Sequence, residues 1–159
     1  APGRPAKRDG VEGALSWLAN DHGTAELEAS YSKAKFNDAD PVGNEIPGSI
    51  PLVFSADVVA ISDGGWLASA RLRHFGRDPL IEDNSVRSKG STLLNLRAGR
   101  EWKQFGVYLD VLNALDSRDH DIDYFFTSRL QGEPTAGVND IHFHIFEPRS
   151  LRLSLRYTF

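Results

Sequence analysis

The chain has 159 residues, 40% hydrophobic and 25% charged, which is enough for one ordinary domain and too apolar for a disordered acidic tail. Its formal charge of -4, with Lys and Arg scattered rather than clustered, gives no electrostatic footprint for a nucleic-acid partner. The longest uncharged run, Ile46–Ala56, carries two prolines and falls short of the roughly 18 apolar residues a membrane helix needs, so a helical span is excluded.

The opening residues, Ala1–Asp9, are rich in proline and charge and lack an apolar h-region, so they read as a disordered or linker segment rather than a signal peptide. With no Met anywhere, an upstream part of the protein is expected to be missing. The absence of Cys removes disulfides and thiolate metal sites.

From Val11 onward the dominant signal is a period of two, the mark of strands with one apolar and one polar face. A first stretch runs from Val11 to Trp17. In the second, Thr24–Phe36, Ala25, Leu27, Ala29 and Tyr31 are opposed by Glu26, Glu28, Ser30 and Ser32. A weaker stretch covers Leu52–Ile61. In Trp66–Phe75, Ala68, Ala70 and Leu72 face away from Ser69, Arg71 and Arg73. Ser91–Trp102 and Phe105–Leu112 follow. The terminal segment alternates Leu151, Leu153, Leu155, Tyr157 and Phe159 with Arg152, Ser154, Arg156 and Thr158. The pattern predicts about seven antiparallel strands and no helix.

Connections alternate in length. Short links at Ala19–Gly23, Ser62–Gly65 and Lys103–Gln104 suit tight hairpins, whereas Asn37–Pro51, Gly76–Gly90 and Asp116–Pro148 are long. Transmembrane barrels have this asymmetry, with short periplasmic turns and long outer loops. Trp17, Trp66, Trp102 and Phe105 lie beside short turns, and Phe36 and Phe75 beside long loops, as interfacial aromatic belts require. A soluble β-sandwich would also alternate. Loops as long as Asp116–Pro148 are uncommon in compact domains, and the tryptophans gather at one set of strand ends, so the barrel is favoured.

Several stretches resemble the C-terminal part of the barrel of TonB-dependent outer-membrane receptors: RDGVEGALSW, NEIPGSIPLVFSADV, GGWLASARLRHFG, VYLDVLNALDSRDHDIDYFF and the closing FEPRSLRLSLRYTF. The resemblance covers nearly the whole chain, with residues 10–159 as the C-terminal portion of the barrel domain. It implies a barrel of roughly 22 strands around a separate plug domain. It also implies active import of a scarce nutrient such as a ferric siderophore, vitamin B12, haem or an oligosaccharide, driven by the TonB energy-coupling complex through the plug. Tyr157 and Phe159 resemble the terminal signal read by the outer-membrane assembly machinery. Plug, energy-coupling box and most strands are absent from this sequence, and some seven strands alone would leave two unpaired edges that lipid does not tolerate.

Candidate ligand-binding residues lie in the outer segment Asp116–Pro148: Asp119, His120, Asp121, Asp123, His142 and His144, the last two expected on one side of a strand. Such groups bind iron or zinc in other settings, but loop hydrogen bonding is the plainer role and no metal spacing or cofactor is expected. Glu26, Glu28, Arg71, Arg73, Arg152 and Arg156 fall on polar faces and are expected to line the lumen. The alternative is a soluble cupin-like or β-sandwich metal-binding protein, since Gly137, His142, His144 and Glu147 resemble a cupin motif. The two residues between His144 and Glu147 are too few for it. No Ser-His-Asp grouping or phosphate-cradling loop is present, so catalysis is not expected.

Overall fold

A computed structural model describes residues 3–159. It contains nine strands: β1 (Ala6–Leu18), β2 (Gly23–Phe36), β3 (Leu52–Ile61), β4 (Trp66–Phe75), β5 (Ser91–Glu101), β6 (Phe105–Leu112), β7 (His120–Ser128), β8 (Val138–Ile145) and β9 (Ser150–Tyr157). There is no helix among the described residues. Seven strands form one antiparallel sheet in the order β1-β2-β3-β4-β5-β6-β9, and β7 and β8 form a separate two-stranded hairpin.

The seven strands of the large sheet coincide with the seven read from alternation, with two corrections. β1 begins at Ala6 rather than after Asp9, so Ala6–Asp9 are not linker. The cause lies in β2, whose end Lys33–Phe36 carries backbone donors and acceptors that the early residues satisfy, Ala6 opposite Phe36 and Asp9 opposite Lys33. Ala1 and Pro2 of that expected segment lie outside the described residues. The second correction is the hairpin β7–β8, which occupies most of what reads as one long loop between β6 and β9.

Register fixes the faces of the sheet. Leu15 pairs with Leu27, Leu27 with Ala56, Ala56 with Leu72 and Leu72 with Leu94, so the apolar sets of successive strands share one side. Leu109 opposite Leu153 continues it to the last strand. This side is uncovered: Leu153 is 66% and Leu155 77% exposed. The substantial contacts between strands are those between hydrogen-bonded neighbours, and only Ala34 and Leu80 are buried hydrophobics among the described residues. A β-sandwich or a cupin needs a second layer and an apolar core between the layers, and this sheet has neither.

Candidate functional site

All long connections leave the same end of the sheet. β2, β4 and β6 finish there and β3, β5 and β9 start there, while the short turns and the chain end lie at the opposite edge.

The loop end is organised by residues far apart in sequence. Arg4 donates from Nε to Asp38 at 2.8 Å, from Nη2 to Asp38 at 2.6 Å and to the Gly43 carbonyl at 3.0 Å, and also pairs with Glu82. Its guanidinium lies 4.1 Å from the centre of the Phe36 ring. The Arg4 hydrogen bonds hold the Asp38 carboxyl below the usual carboxylate range, overcoming the opposing effect of partial desolvation. Backbone bonds join the same two loops, from Glu45 N–H to the Glu82 carbonyl (2.9 Å) and from Gly48 N–H to the Pro79 carbonyl (2.9 Å).

The β4–β5 loop also closes on itself. Ser88 Oγ donates to Asp78 at 2.5 Å and accepts from the Asp78 N–H at 2.8 Å, and Leu80 of the same loop is buried. Asn113, at φ 49°, ties both ends of the β6–β9 connection: its side-chain nitrogen donates to the carbonyls of Ser117 and Glu147, each at 2.9 Å. Arg4 and Asn113 are the organising residues that sequence reading missed. An Asn just after an apolar strand, a residue type that tolerates the left-handed region, was the available signal for Asn113.

Between the β7–β8 hairpin and these loops lies a cleft of about 590 Å³. Phe75, Leu80, Tyr124 and Phe126 give it an aromatic and apolar wall, and Asp78 and Asp123 add carboxylates. Of the expected residues, His120, Asp121 and Asp123 border this cleft and Asp119, His142 and His144 do not. His120 Nδ1 pairs with Asp123 at 2.5 Å, with both side chains under 9% exposed, and its ring stacks on Phe143 at 3.8 Å. Asp119 accepts from the Thr92 N–H at 3.1 Å, fastening the hairpin to β5.

His142 and His144 share a face of β8, as their spacing requires, but have different partners. His142 stacks on Phe126 at 3.8 Å, its Nε2 buried without a hydrogen bond, and His144 meets Asp121 at 2.9 Å in the open. No group of three or more His, Cys, Asp or Glu is arranged to hold a metal among the described residues. What the cleft offers is stacking and apolar contact with a few hydrogen-bonding carboxylates.

The polar face of the sheet brings together the second expected set. Glu26, Asp57, Arg71 and Asn95 are successive cross-strand partners, as are Glu28, Ser55 and Arg73. Across the later strands, Arg97 is opposite Asp110 and Asp110 opposite Arg152. Glu26, Glu28, Arg71, Arg73, Arg152 and Arg156 therefore lie on one side. Asp57 pairs with Arg71, Arg97 with Asp110 (2.6 Å), and Glu101 takes both Arg156 (3.1 Å) and the Tyr108 hydroxyl.

These features define the fold: all-β and antiparallel, without helix among the described residues, and similar to the barrel of a TonB-dependent receptor. No protein-family model matches the sequence. Among solved structures, the chain is similar to the ferric yersiniabactin uptake receptor FyuA from Yersinia pestis, with a TM-score of 0.74 and 16% identity. The match covers 97% of this chain and 24% of that receptor, so the likeness is to a portion of a larger barrel and concerns the fold.

Proposed function

We propose that this chain forms the closing strands of the barrel of an outer-membrane receptor that imports a scarce nutrient, a ferric siderophore or a similar compound, with energy from the TonB system. The observation that carries this reading is the one-sidedness of the seven-stranded sheet. Its apolar side is continuous and uncovered, its polar side carries cross-strand ion pairs, and its long loops share one end. In water the exposed leucines of β9 would be an aggregation surface; in lipid they are the required surface. The likeness to an uptake receptor supports the same direction.

In this reading Glu26, Glu28, Arg71, Arg73, Arg152 and Arg156 face the lumen and the plug domain of the parent chain. The outer edges of β1 and β9 continue into its remaining strands, since lipid does not tolerate unpaired backbone. Residues 6–159 belong to the barrel, the loop-end cleft is part of the ligand-facing surface, and the protein is a transporter rather than an enzyme. Tyr157 and Phe159 present the terminal signal to the assembly machinery, so deleting Phe159 impairs assembly more than ligand binding.

The test uses the lack of cysteine in these 159 residues, with any cysteine elsewhere in the parent protein replaced by serine. Leu153→Cys and Arg152→Cys, introduced singly into the parent protein in native outer membranes, are exposed to a lipid-soluble and a water-soluble thiol reagent. The expected result is labelling of position 153 from lipid and of position 152 from water. If position 153 resists both reagents in a protein that fractionates as soluble, the reading is wrong.

A further inference from the structure

Arg100 is the one basic side chain on the strands of the apolar face in its turn-end half, among the described residues. Its register partner is Trp66, and Trp102 follows two residues later on the same face. The guanidinium carbon lies 5.0 Å from the Trp66 ring centre and 5.1 Å from that of Trp102, so two indoles flank one cation. Arg100 Nε donates to the Gly64 carbonyl at 3.3 Å, which anchors the head against the neighbouring turn. Neither terminal nitrogen of Arg100 has a hydrogen-bond partner, and no carboxylate pairs with it, among the described residues. The adjacent acid, Glu101, lies on the polar face, where it binds Tyr108 and Arg156.

A guanidinium on a lipid-facing surface needs a counter-charge, and this one is held in the layer where the bilayer supplies it. Tryptophan marks the headgroup level, and Trp66, Trp102, Phe105 and Tyr157 lie along this edge, each about half exposed. Cation–π packing restricts the guanidinium, and its two terminal nitrogens, without protein partners among the described residues, are a fork that matches two oxygens of a phosphate. Lys103, in the turn below, adds positive charge. β4, β5 and β6 each have neighbours on both sides, so the site is complete without the rest of the barrel.

We propose that Arg100, clamped between Trp66 and Trp102, is a binding site for the phosphate of an anionic phospholipid in the leaflet at the turn end. The inference rests on the membrane reading above and on no feature of the ligand cleft. The site fixes the depth of this edge of the sheet in the bilayer.

The test is native mass spectrometry of the full parent protein, purified in detergent and titrated with phosphatidylglycerol, phosphatidylcholine or inorganic phosphate. The expected result is that Arg100→Gln holds phosphatidylglycerol about fivefold more weakly than the unaltered protein, and Arg100→Lys lies between them. Lys103→Gln has a smaller effect, and inorganic phosphate does not displace the lipid. Equal retention by Arg100→Gln and the unaltered protein overturns the site, as does an equal loss in Lys103→Gln, which would mean diffuse charge. Displacement by inorganic phosphate overturns the lipid as ligand. Heat-modifiable gel mobility checks that each variant is assembled, and Arg100→Lys keeps the charge if Arg100→Gln is not. Labelling of Leu153→Cys from lipid, with unchanged lipid retention in Arg100→Gln, defeats this inference alone; failure of that labelling defeats the membrane reading itself.

Discussion

Arg97 and Asp110 face each other across β5 and β6, the guanidinium Nε 2.6 Å from a carboxylate whose side chain is only 7% exposed. On its other side Asp110 is the register partner of Arg152. One acid therefore bonds one cation, Arg97, and stands opposite a second, Arg152, on three successive strands. Removing Arg97 strips the buried Asp110 carboxylate of both its hydrogen bonds, whereas removing Asp110 leaves a half-exposed Arg97 guanidinium that water can solvate. Arg97→Ala should cost roughly 1–3 kcal/mol, and Asp110→Ala less. Denaturant unfolding of the parent protein in lipid vesicles measures both, and equal losses would contradict this ordering.

Adjacent residues of β9 give a second asymmetry. Leu153 sits on the uncovered apolar face opposite Leu109, and Arg152 on the polar face opposite Asp110. Near the bilayer midplane, Leu153→Arg should cost roughly 2–4 kcal/mol, because a cation then meets hydrocarbon. Arg152→Leu should be milder, since Asp110 keeps Arg97. Assembled fraction and unfolding midpoint in vesicles read the difference; equal damage at both positions would count against a lipid-facing side.

The Arg4–Asp38 pair predicts a pH dependence of the loops. Arg4 holds the Asp38 carboxyl below its ordinary range, so the contact stabilises the folded loops above the unfolded value of about 4 and is lost as pH falls through the lower folded value. The Arg4 guanidinium is itself raised above its ordinary value, first by the Asp38 hydrogen bond, and stays charged throughout. Hydrogen exchange at the Glu45 and Gly48 amides, which bond to Glu82 and Pro79, reports the docking. Protection at both should fall below about pH 4, and Arg4→Gln should lower it at neutral pH and abolish the pH step. A step unchanged in Arg4→Gln would assign it to another group.

What was legible in the sequence follows from periodicity. The residues expected on the polar side, from Glu26 to Arg156, share a face because strict alternation survives from β1 to β9 and each register step preserves side. The hairpin was hidden for the opposite reason. A register shift between His120 and Ile122 breaks the alternation, and aromatics occupy both of its faces, Tyr124 and Phe126 on one, Phe125 and Phe143 on the other. Arg4 was invisible because its partner Glu82 is 78 residues away and nothing local marks the pairing. The histidines were recognised as residue types, but their partners depend on how β7 meets β8: buried Asp123 for His120, Phe126 for His142, exposed Asp121 for His144.

The turn joining β3 to β4 provides the last prediction, because two adjacent glycines there differ in what they require. Gly65 has φ 76°, a conformation costly for residues with a Cβ, and a Cβ built on it would stand 2.2 Å from the Glu101 carbonyl oxygen. That closeness is functional for the sheet: Glu101 N–H donates to the Gly65 carbonyl at 2.8 Å, joining the turn to the end of β5. At Gly64 the nearest atoms to a new Cβ are 3.7 Å away, an ordinary contact. Gly65→Ala should therefore cost roughly 1–3 kcal/mol through backbone strain and loss of the Glu101 bond, whereas Gly64→Ala should be nearly neutral. Unfolding midpoints of the two variants in vesicles decide the matter. If Gly64→Ala were as damaging as Gly65→Ala, turn flexibility rather than the close approach of Gly65 to Glu101 would be what the sheet needs.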